Sequence, residues 1–319
     1  MSNSQPSENG VKEARIPPII VLGIGIFAAS TASIFIRFAQ ESVSSLVIAA
    51  FRLSIASVVL APVAIKWQHR ELRALTGKQL GLLVLSGVFL ALHFASWITS
   101  LEYTTVATSV ILVSTSSLWV ALLAPLFLRE RVSLMLGIGL LVALVGGVIV
   151  GSGQACELQN GTLACPPLAD FIRGESLLGN LLALGGAISG AAYLLIGKRV
   201  RGKISLLSYT FIVYGMSAIV LMGMVAVTQQ RLTGYSPAVY LLFVALALIP
   251  QLLGHSSFNW ALRYMSATYV SVTLLGEPIS STILAYIILE EVPALLEIIG
   301  GVLILVGIYL ASRSEGKRE

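Results

Sequence analysis

The sequence predicts an all-α integral membrane protein of ten transmembrane helices, arranged as two five-helix repeats of inverted topology. Three observations lead to this fold class: an apolar composition, ten apolar segments separated by asymmetric charges, and a repeat that relates the two halves. Of the 319 residues, 56% are hydrophobic and 11% are charged, and the mean hydropathy is +0.91. Because soluble domains carry roughly 25% charged residues, much of this chain must face lipid.

Ten apolar segments have about the length that a helix needs to cross a bilayer, which is roughly 20 residues. They are 17–36, 44–65, 79–100, 105–127, 133–151, 176–197, 205–227, 237–260, 267–289 and 294–312. No small-residue cleavage site ends a short apolar core after the polar residues 1–16. The first segment is therefore expected to remain in the protein as a signal-anchor.

The basic residues separate between the two sides of this arrangement. With the N-terminus inside, sixteen of the 20 Lys and Arg residues fall inside, Arg37, Arg173 and Arg231 fall outside, and Arg52 lies within a span. This distribution follows the positive-inside rule and predicts cytoplasmic N- and C-termini in a cell membrane, inner or plasma. Because the charges cluster between apolar runs, the net charge of +5 does not indicate a nucleic-acid partner.

The one longer loop, 152–175, is predicted to lie outside. It holds the two cysteines of the chain, Cys156 and Cys165, on either side of Asn160-Gly161. Asn-Gly is a favoured two-residue hairpin turn. A disulfide is expected if the outer compartment is oxidising, and two unpaired thiols are the alternative.

A shift of 161 positions aligns the second half of the chain with the first without a gap. The matched pairs include Leu101 with Leu262, Tyr103 with Tyr264, Glu130 with Glu291, Gly139 with Gly300, and Gly146 with Gly307. The predicted repeats are 17–151 and 176–312, between cytoplasmic tails 1–16 and 313–319. Glycines four residues apart, Gly147 with Gly151 and Gly186 with Gly190, are predicted to let helices approach closely.

The two repeats are predicted to enter the membrane from opposite sides, because each has an odd number of spans. The charges agree, since Arg129-Glu130-Arg131 is basic where the first repeat turns inside, and Glu290-Glu291-Val292 is acidic at the equivalent outer turn. Inverted repeats recur in secondary transporters, where they provide alternating access to a site at the midplane. A duplication retained only for fold stability is the alternative.

The motifs of the repeat resemble the EamA family of the drug/metabolite transporter superfamily. The first copy reads Leu101-x-Tyr103, then Pro125-Leu-Phe-Leu-Arg-Glu130, then Gly-x-Gly and a glycine-rich span. The second runs from Leu275-Gly-Glu277-Pro278 through Leu289-Glu-Glu291 to Gly300-Gly301. The resemblance covers nearly the whole chain and implies transport of amino acids, other metabolites or drugs. The family often has proline in both copies, whereas here Ser117 stands opposite Pro278, which predicts unequal flexibility of the two segments.

Ionisable residues inside spans are costly unless they face a cavity or a partner. Glu277 precedes Pro278, which removes a backbone donor and predicts a broken helix near the midplane. Glu277 is a candidate for binding a proton or a substrate amine, and Tyr269 and Thr273 are predicted to share its face. Arg52 is a candidate for binding a substrate carboxylate. The alternatives are a structural pair between Arg52 and Glu277, a structural Glu277 held by hydroxyls, or an Arg52 that snorkels to the interface.

Other polar residues within the spans extend the candidate site. His93 and Trp97 lie four apart in the third span, and the serine-rich run before Trp119 could line a cavity in the fourth. The eighth span carries Gln251, His255 and Asn259 at steps of four, which predicts a stripe facing the bundle interior. For the stripes of the third and eighth spans the alternative is hydrogen bonding between helices alone. For the serine-rich run the alternative is hydroxyls that bond back to their own helix. Tyr193 and Tyr214 are further candidates in the sixth and seventh spans, but tyrosines near span ends are usually interface anchors, so a site role is not favoured for them.

Together these features predict a transporter, with export favoured, of a small organic metabolite such as an amino acid or a drug-like solute. The solute gradient or protons would drive it, and lipid surrounds it. No phosphate loop, metal-ligand spacing or catalytic constellation is evident, so no cofactor, metal or enzymatic activity is expected. A nucleotide-sugar or sugar-phosphate antiporter is the runner-up, and a channel ranks lower. The solute, direction, coupling ion and oligomeric state, with a homodimer among the options, stay open at this stage.

Overall fold

A computed structural model describes residues 16–128, 134–152, 157–159, 162–164 and 174–313. These residues form a helical bundle whose segments we number α1 to α10. The bounds are α1 Pro18–Gln40, α2 Ser45–Arg73, α3 Gly77–Tyr103, α4 Val106–Ser114 with Ser116–Leu128, α5 Leu134–Ser152, α6 Glu175–Arg201, α7 Leu206–Val227, α8 Pro237–Ala261, α9 Ala267–Thr273 with Gly276–Leu289, and α10 Leu295–Arg313. Each predicted span corresponds to one of these segments.

Eight of the described helices, α1 to α4 and α6 to α9, are long and apolar enough to cross a membrane. The apolar parts of α5 and α10 are shorter, 137–150 and 295–307. The all-α membrane character is therefore confirmed, while ten crossings remain a prediction for these two helices. Helix α2 continues two turns past its predicted end at residue 65, to Arg73, because a helix can extend beyond the membrane as a polar stem.

The outer surface of the bundle is apolar and its interior is partly polar, the reverse of a soluble protein. Ile24 and Phe27 on α1 are 52% and 65% exposed, whereas Arg52, Gln251 and Asn259 are completely buried. Such a surface is stable in lipid, where polar groups are favoured only among other helices.

A short hairpin lies in the loop between α5 and α6. Strand β1, Glu157–Gln159, pairs antiparallel with β2, Thr162–Ala164. The two-residue connection agrees with the predicted turn at Asn160-Gly161. The turn residues Asn160 and Gly161 lie outside the described residues, and so do Cys156 and Cys165. The disulfide therefore remains a prediction.

Helices α5 and α10 approach each other closely through glycines. A Cβ atom built on Gly146 would lie 2.6 Å from the Gly300 carbonyl oxygen, and one built on Gly307 would lie 2.5 Å from that of Gly139. Because the two contacts occur in opposite order along the helices, α5 and α10 are antiparallel. The shift of 161 converts one contact into the other. The prediction that Gly147 allows a close approach of helices is wrong, because nothing lies within 4 Å of its Cβ position.

The same relation connects two further helix pairs. On α1, a Cβ built on Gly25 would lie 3.0 Å from the Phe258 ring of α8. On α6, a Cβ built on Gly186 would lie 3.3 Å from the backbone nitrogen of Trp97 in α3. The shift of 161 carries Gly25 to Gly186 and Trp97 to Phe258, so these contacts are counterparts. The predicted close approach at Gly186 and Gly190 is confirmed, and the pairs place α3 and α8 around the centre of the bundle.

Candidate functional site

A cavity of about 60 Å³ lies between α3 and α4 of the first repeat and α6, α8 and α9 of the second. Its lining is mostly aromatic, hydroxyl-bearing or apolar, with one carboxylate. The lining residues are His93, Trp97, Val113, Ser114, Ser116, Ser117, Gly190, Tyr193, Leu194, His255, Phe258, Leu274 and Glu277. A cavity needs about 10–15 Å³ for each water molecule, so this one admits a few waters. An organic solute therefore requires it to widen.

Glu277 reaches the cavity through a break in α9. The helix stops at Thr273 and resumes at Gly276, which places Glu277 in the first turn of the second segment. The predicted break is confirmed, and an acidic side chain in a first turn interacts favourably with the helix dipole. The Leu274 carbonyl has lost its usual helical partner, because Pro278 has no N–H to donate. The Glu277 backbone N–H donates to this carbonyl instead, at 2.9 Å, because the chain turns more tightly there.

Helix α4 breaks at the equivalent place without a proline. Thr115 separates its two segments, and its hydroxyl donates to the Leu112 carbonyl at 2.6 Å. The neighbouring Ser114 donates to the Val110 carbonyl at 2.7 Å. Hydroxyls that bond back to their own helix tend to bend it. Ser117 donates to the Ser271 carbonyl at 2.6 Å and so links the two breaks. Whether the breaks differ in flexibility stays a prediction.

Arg52 is completely buried beside the cavity. Its Nε donates to Gln251 Oε1 at 2.8 Å, and its guanidinium carbon lies 4.2 Å from the centre of the Phe94 ring. Phe94 packs against the lining residue His255 with ring centres 5.1 Å apart, so Arg52 lies one side chain from the cavity. Burial rules out the snorkelling alternative.

Arg52 and Glu277 attract each other electrostatically without forming a direct pair. Among the described residues, the ion pair closer than 4.0 Å is the one between Arg37 and Glu291. Arg52 and Glu277 attract each other over a longer distance. Both terminal nitrogens of Arg52 are buried without a hydrogen-bond partner in the structure. Since buried guanidinium donors are costly when unpaired, this end of Arg52 is suited to bind an anionic group.

A π-helix in α8 presents Gln251 and His255. It spans Ala247–His255 and contains Pro250, and the Ser256 backbone N–H donates to the Gln251 carbonyl five residues back. Proline cannot donate a helical hydrogen bond, and such wide turns recur at functional sites. Gln251 and Asn259 are completely buried, which confirms that this stripe faces the interior.

Two histidines from different repeats meet at the cavity. The ring centres of His93 and His255 are 6.3 Å apart, and His93 stacks on Trp97 at 6.0 Å. His93 Nδ1 lies 2.9 Å from the Gly186 carbonyl oxygen. Because a carbonyl can only accept a hydrogen bond, the proton is assigned to Nδ1. A Cβ on Gly190 would lie 2.9 Å from Nδ1, so glycine makes room for this ring.

The model of the EamA-like transporter family matches residues 16–152 and 177–313. The chain belongs to the EamA-like transporter family. The matched ranges lie within one residue of the predicted repeats at every boundary. The resemblance to the drug/metabolite transporter superfamily is thus confirmed, and with it membrane transport as the general function. Transporters are generally not enzymes, in keeping with the expectation from the sequence.

Named relatives of this EamA-like protein are transporters of unassigned substrate or plant proteins of similar length. An uncharacterized transporter of Archaeoglobus fulgidus is 23% identical, over 93% of this chain and 97% of the relative. The uncharacterized transporter YdfC of Bacillus subtilis is 24% identical, over 90% and 87%. A WAT1-related protein of Arabidopsis thaliana is 23% identical, over 97% and 89%. One crystal structure superposes with a TM-score of 0.63 at 15% identity, over 95% of this chain and 98% of the other, and shows the fold alone.

Five predicted site residues of this EamA-like protein do not line the central cavity: Arg52, Gln251 and Asn259 are buried in the bundle interior, whereas Thr273 and Trp119 lie elsewhere. Thr273 donates to the Tyr269 carbonyl at 2.9 Å, and Tyr269 is 48% exposed. The predicted face shared with Glu277 is wrong, because the break after Thr273 interrupts the helical register. Trp119 lines a separate crevice of about 380 Å³ between α4, α5 and α6.

The two tyrosines not favoured for the site, Tyr193 and Tyr214, belong to the interior. Tyr193 lines the cavity and Tyr214 is completely buried, so their prediction as interface anchors is wrong. Asn259 Nδ2 donates to the Tyr193 hydroxyl at 2.5 Å and lies 3.3 Å from that of Tyr214. The spacing of Tyr193 from Gly186 and Gly190 could have revealed it, since steps of seven and three place it on the face that packs against α3.

Proposed function

We propose that this EamA-like protein is a secondary transporter that exports a small organic metabolite, such as an amino acid or a drug-like solute, by alternating access. The observation that carries the proposal is the small cavity between the repeats, which Glu277 lines and beside which Arg52 is buried, without a direct ion pair between the two. Two opposite charges at a cavity suit a solute with complementary groups.

The proposed topology has ten spans, with the two repeats inverted in the membrane and both termini in the cytoplasm. The antiparallel contact of α5 with α10 supports the inversion, since these helices occupy the same position in the repeats. The basic residues support the orientation through the positive-inside rule. Movement of one repeat against the other would then expose the cavity to each side in turn.

In the widened cavity, Arg52 is the carboxylate site and Glu277 is the amine or proton site. The guanidinium offers two terminal nitrogens, the geometry that binds a carboxylate in two-pronged fashion. Trp97 and Phe258 line the cavity and provide ring faces for an apolar or aromatic body. Protons would drive export if Glu277 or a histidine releases and binds them during the cycle.

A phosphate-bearing solute is not favoured by this lining. Nucleotide sugars and sugar phosphates need several positive charges. Among the residues that the structure describes, none that line the cavity is Lys or Arg, and Arg52 lies one side chain away. A channel is not favoured either, since a cavity of about 60 Å³ is far too small to be a continuous pore.

Transport assays in proteoliposomes test the function. The purified protein is reconstituted and given radiolabelled amino acids, aromatic amines and nucleobases, with and without a pH gradient. We expect saturable movement of at least one zwitterionic or aromatic solute, with no single-channel currents under voltage clamp. A folded, reconstituted protein that moves none of these solutes under any gradient would contradict the proposal.

A further inference from the structure

Arg37 lies at the end of α1 that the proposed topology places outside, and it is not among the residues that line the cavity. Its Nη1 donates to the Leu101 carbonyl at 2.5 Å and its Nη2 to the Thr104 carbonyl at 3.2 Å. The carbonyls at a helix C-terminus have no partner within the helix. Arg37 therefore ties α1 to the end of α3 within the first repeat.

Glu291 connects this cluster to the second repeat. One carboxylate oxygen accepts from Arg37 Nη2 at 2.9 Å and from Nε at 3.2 Å. The other accepts from the backbone N–H of Val106, the first residue of α4, at 2.8 Å. The Arg37 and Glu291 side chains are only 27% and 23% exposed. Because Glu291 lies in the α9–α10 connection, one side chain holds the two repeats together at two points.

A second carboxylate holds the same end of α4. Glu297 Oε1 accepts from the Thr105 hydroxyl at 2.9 Å and from the Thr108 hydroxyl. Its Oε2 accepts from the Ala294 backbone N–H at 2.8 Å, and the side chain is 2% exposed. Carboxylates at a helix N-terminus are favoured by its dipole and its unpaired N–H groups. The start of α4 is thus fastened twice to the second repeat.

The Arg37 contact has a counterpart at the opposite end of the second repeat. Lys198 on α6 donates to the Leu262 carbonyl at 3.2 Å and to the Met265 carbonyl at 2.8 Å. The shift of 161 carries Arg37 to Lys198, Leu101 to Leu262 and Thr104 to Met265. The position of Glu297 is taken by Leu136 in the first repeat. The contact that joins the first helix of a repeat to the end of its third helix is therefore present in both repeats. The Glu297 contact between the repeats has no sequence equivalent.

We propose that Arg37, Glu291 and Glu297 form the outer gate of the transport cycle, which is closed in this structure. The breaks in α4 and α9 make separate outer segments, 106–114 and 276–289, and both reach the cavity, through Ser114 and Glu277. The gate fastens the start of the first segment to the connection that follows the second. Opening the cavity outward requires Arg37 to leave Glu291 and both carboxylates to leave the start of α4.

The inference rests on the proposed alternating access, but its test measures access and not transport. Ser116, which lines the cavity, becomes the sole reactive thiol as Ser116→Cys in a Cys156→Ser, Cys165→Ser background. A membrane-impermeant maleimide is applied outside, and the modification rate is measured with and without gate substitutions. A protein that moves no solute but shows the expected access would sink the proposed function and leave the gate intact.

Glu291→Gln removes the charge and keeps the shape, and we expect the outside modification rate to rise on the order of tenfold, which corresponds to about 1.4 kcal/mol. Arg37→Lys, which introduces the residue type of the inner counterpart, should stay within about twofold of the parent. Lys198→Gln, the matched control at the other end, should not raise the outside rate.

Three results would overturn the gate. The first is an unchanged rate in Glu291→Gln while the protein stays monodisperse in detergent. The second is an equal rise in Lys198→Gln, which would indicate general loosening. The third is an Arg37→Lys rate as high as that of Glu291→Gln, because the charge pair would then not be what closes the outer end.

Discussion

At the scale of single residues, burial decides which polar side chains matter. Arg52 and Gln251 are completely buried and bonded to each other, and Glu277 lies where a helix breaks. Buried polar groups in a membrane protein are retained when they bind one another or a solute. The arrangement leaves the terminal nitrogens of Arg52 and the carboxylate of Glu277 for complementary groups.

Arg52→Lys should raise the KM for a carboxylate-bearing solute by about tenfold or more, since lysine cannot supply a planar pair of donors. Initial rates of labelled solute uptake in proteoliposomes measure this. The exposed Arg263 provides a matched control, and Arg263→Lys should leave KM unchanged. An Arg52→Lys protein with the parent KM would remove Arg52 from the binding site.

Glu277→Gln should abolish transport driven by a pH gradient while solute–solute exchange persists. The amide keeps the size of the carboxylate but cannot release a proton. Counterflow and pH-jump assays on the same liposomes separate the two activities. Glu175, which is exposed at the start of α6, is the control, and Glu175→Gln should retain both. Full pH-driven transport by Glu277→Gln would exclude it as the essential proton carrier.

At the scale of helices, close approach depends on which glycines face a neighbour. Gly146 contacts the α10 backbone, whereas its neighbour Gly147 points where no atom lies within 4 Å. Small residues let membrane helices pack by van der Waals contact, which is the main attraction between them in lipid. The contact between α5 and α10 joins the last helices of the two repeats and so holds the halves together.

Gly146→Ala should destabilise the protein by about 1–3 kcal/mol, because the new Cβ would overpack a backbone contact. Gly147→Ala should be neutral or stabilising by up to about 1 kcal/mol, because alanine favours a helix over glycine. Thermal unfolding in detergent, followed by size-exclusion fluorescence, compares the two. Equal melting temperatures for both variants would contradict the described packing of α5 on α10.

At the scale of the whole molecule, two five-helix halves related by a shift of 161 enclose a cavity that is not symmetric. Helices α3 and α8 meet at the centre, and the shift brings Phe94 onto His255, which pack together. Arg52 comes from the first half, while Gln251, Asn259 and Glu277 come from the second. The scaffold is therefore repeated, whereas the polar side chains of the interior are not.

The proposed orientation predicts opposite labelling of two exposed positions. In a cysteine-free background, Arg231→Cys should react with an impermeant maleimide added to whole cells, and Lys203→Cys should react only after the membrane is permeabilised. Both positions are exposed, so access to the thiol is not limited by burial. Labelling of Lys203→Cys in intact cells would contradict the proposed orientation and would place the N- and C-termini outside.

Most residues of the candidate site can be predicted from the sequence, but their arrangement in space cannot. Hydropathy and the rarity of charges point to Arg52 and Glu277, because lipid tolerates few charged side chains. Thr273 and Trp119 were misplaced, since helical spacing holds only along an unbroken helix and gives no information on which neighbour a face meets. Tyr193 and Tyr214 were dismissed because position near a span end does not reveal burial.

The sequence alone determined the helices, their approximate ends and the repeat, because these follow from local hydropathy and from matches at a fixed spacing. It also predicts the sidedness of the charges, from the cost of moving charge across lipid. Tertiary structure decided that Arg52 bonds Gln251 rather than Glu277, and that Arg37 forms an ion pair with Glu291. Contacts between residues about 200 or more positions apart depend on how helices rotate and cross, which packing sets and no local pattern records.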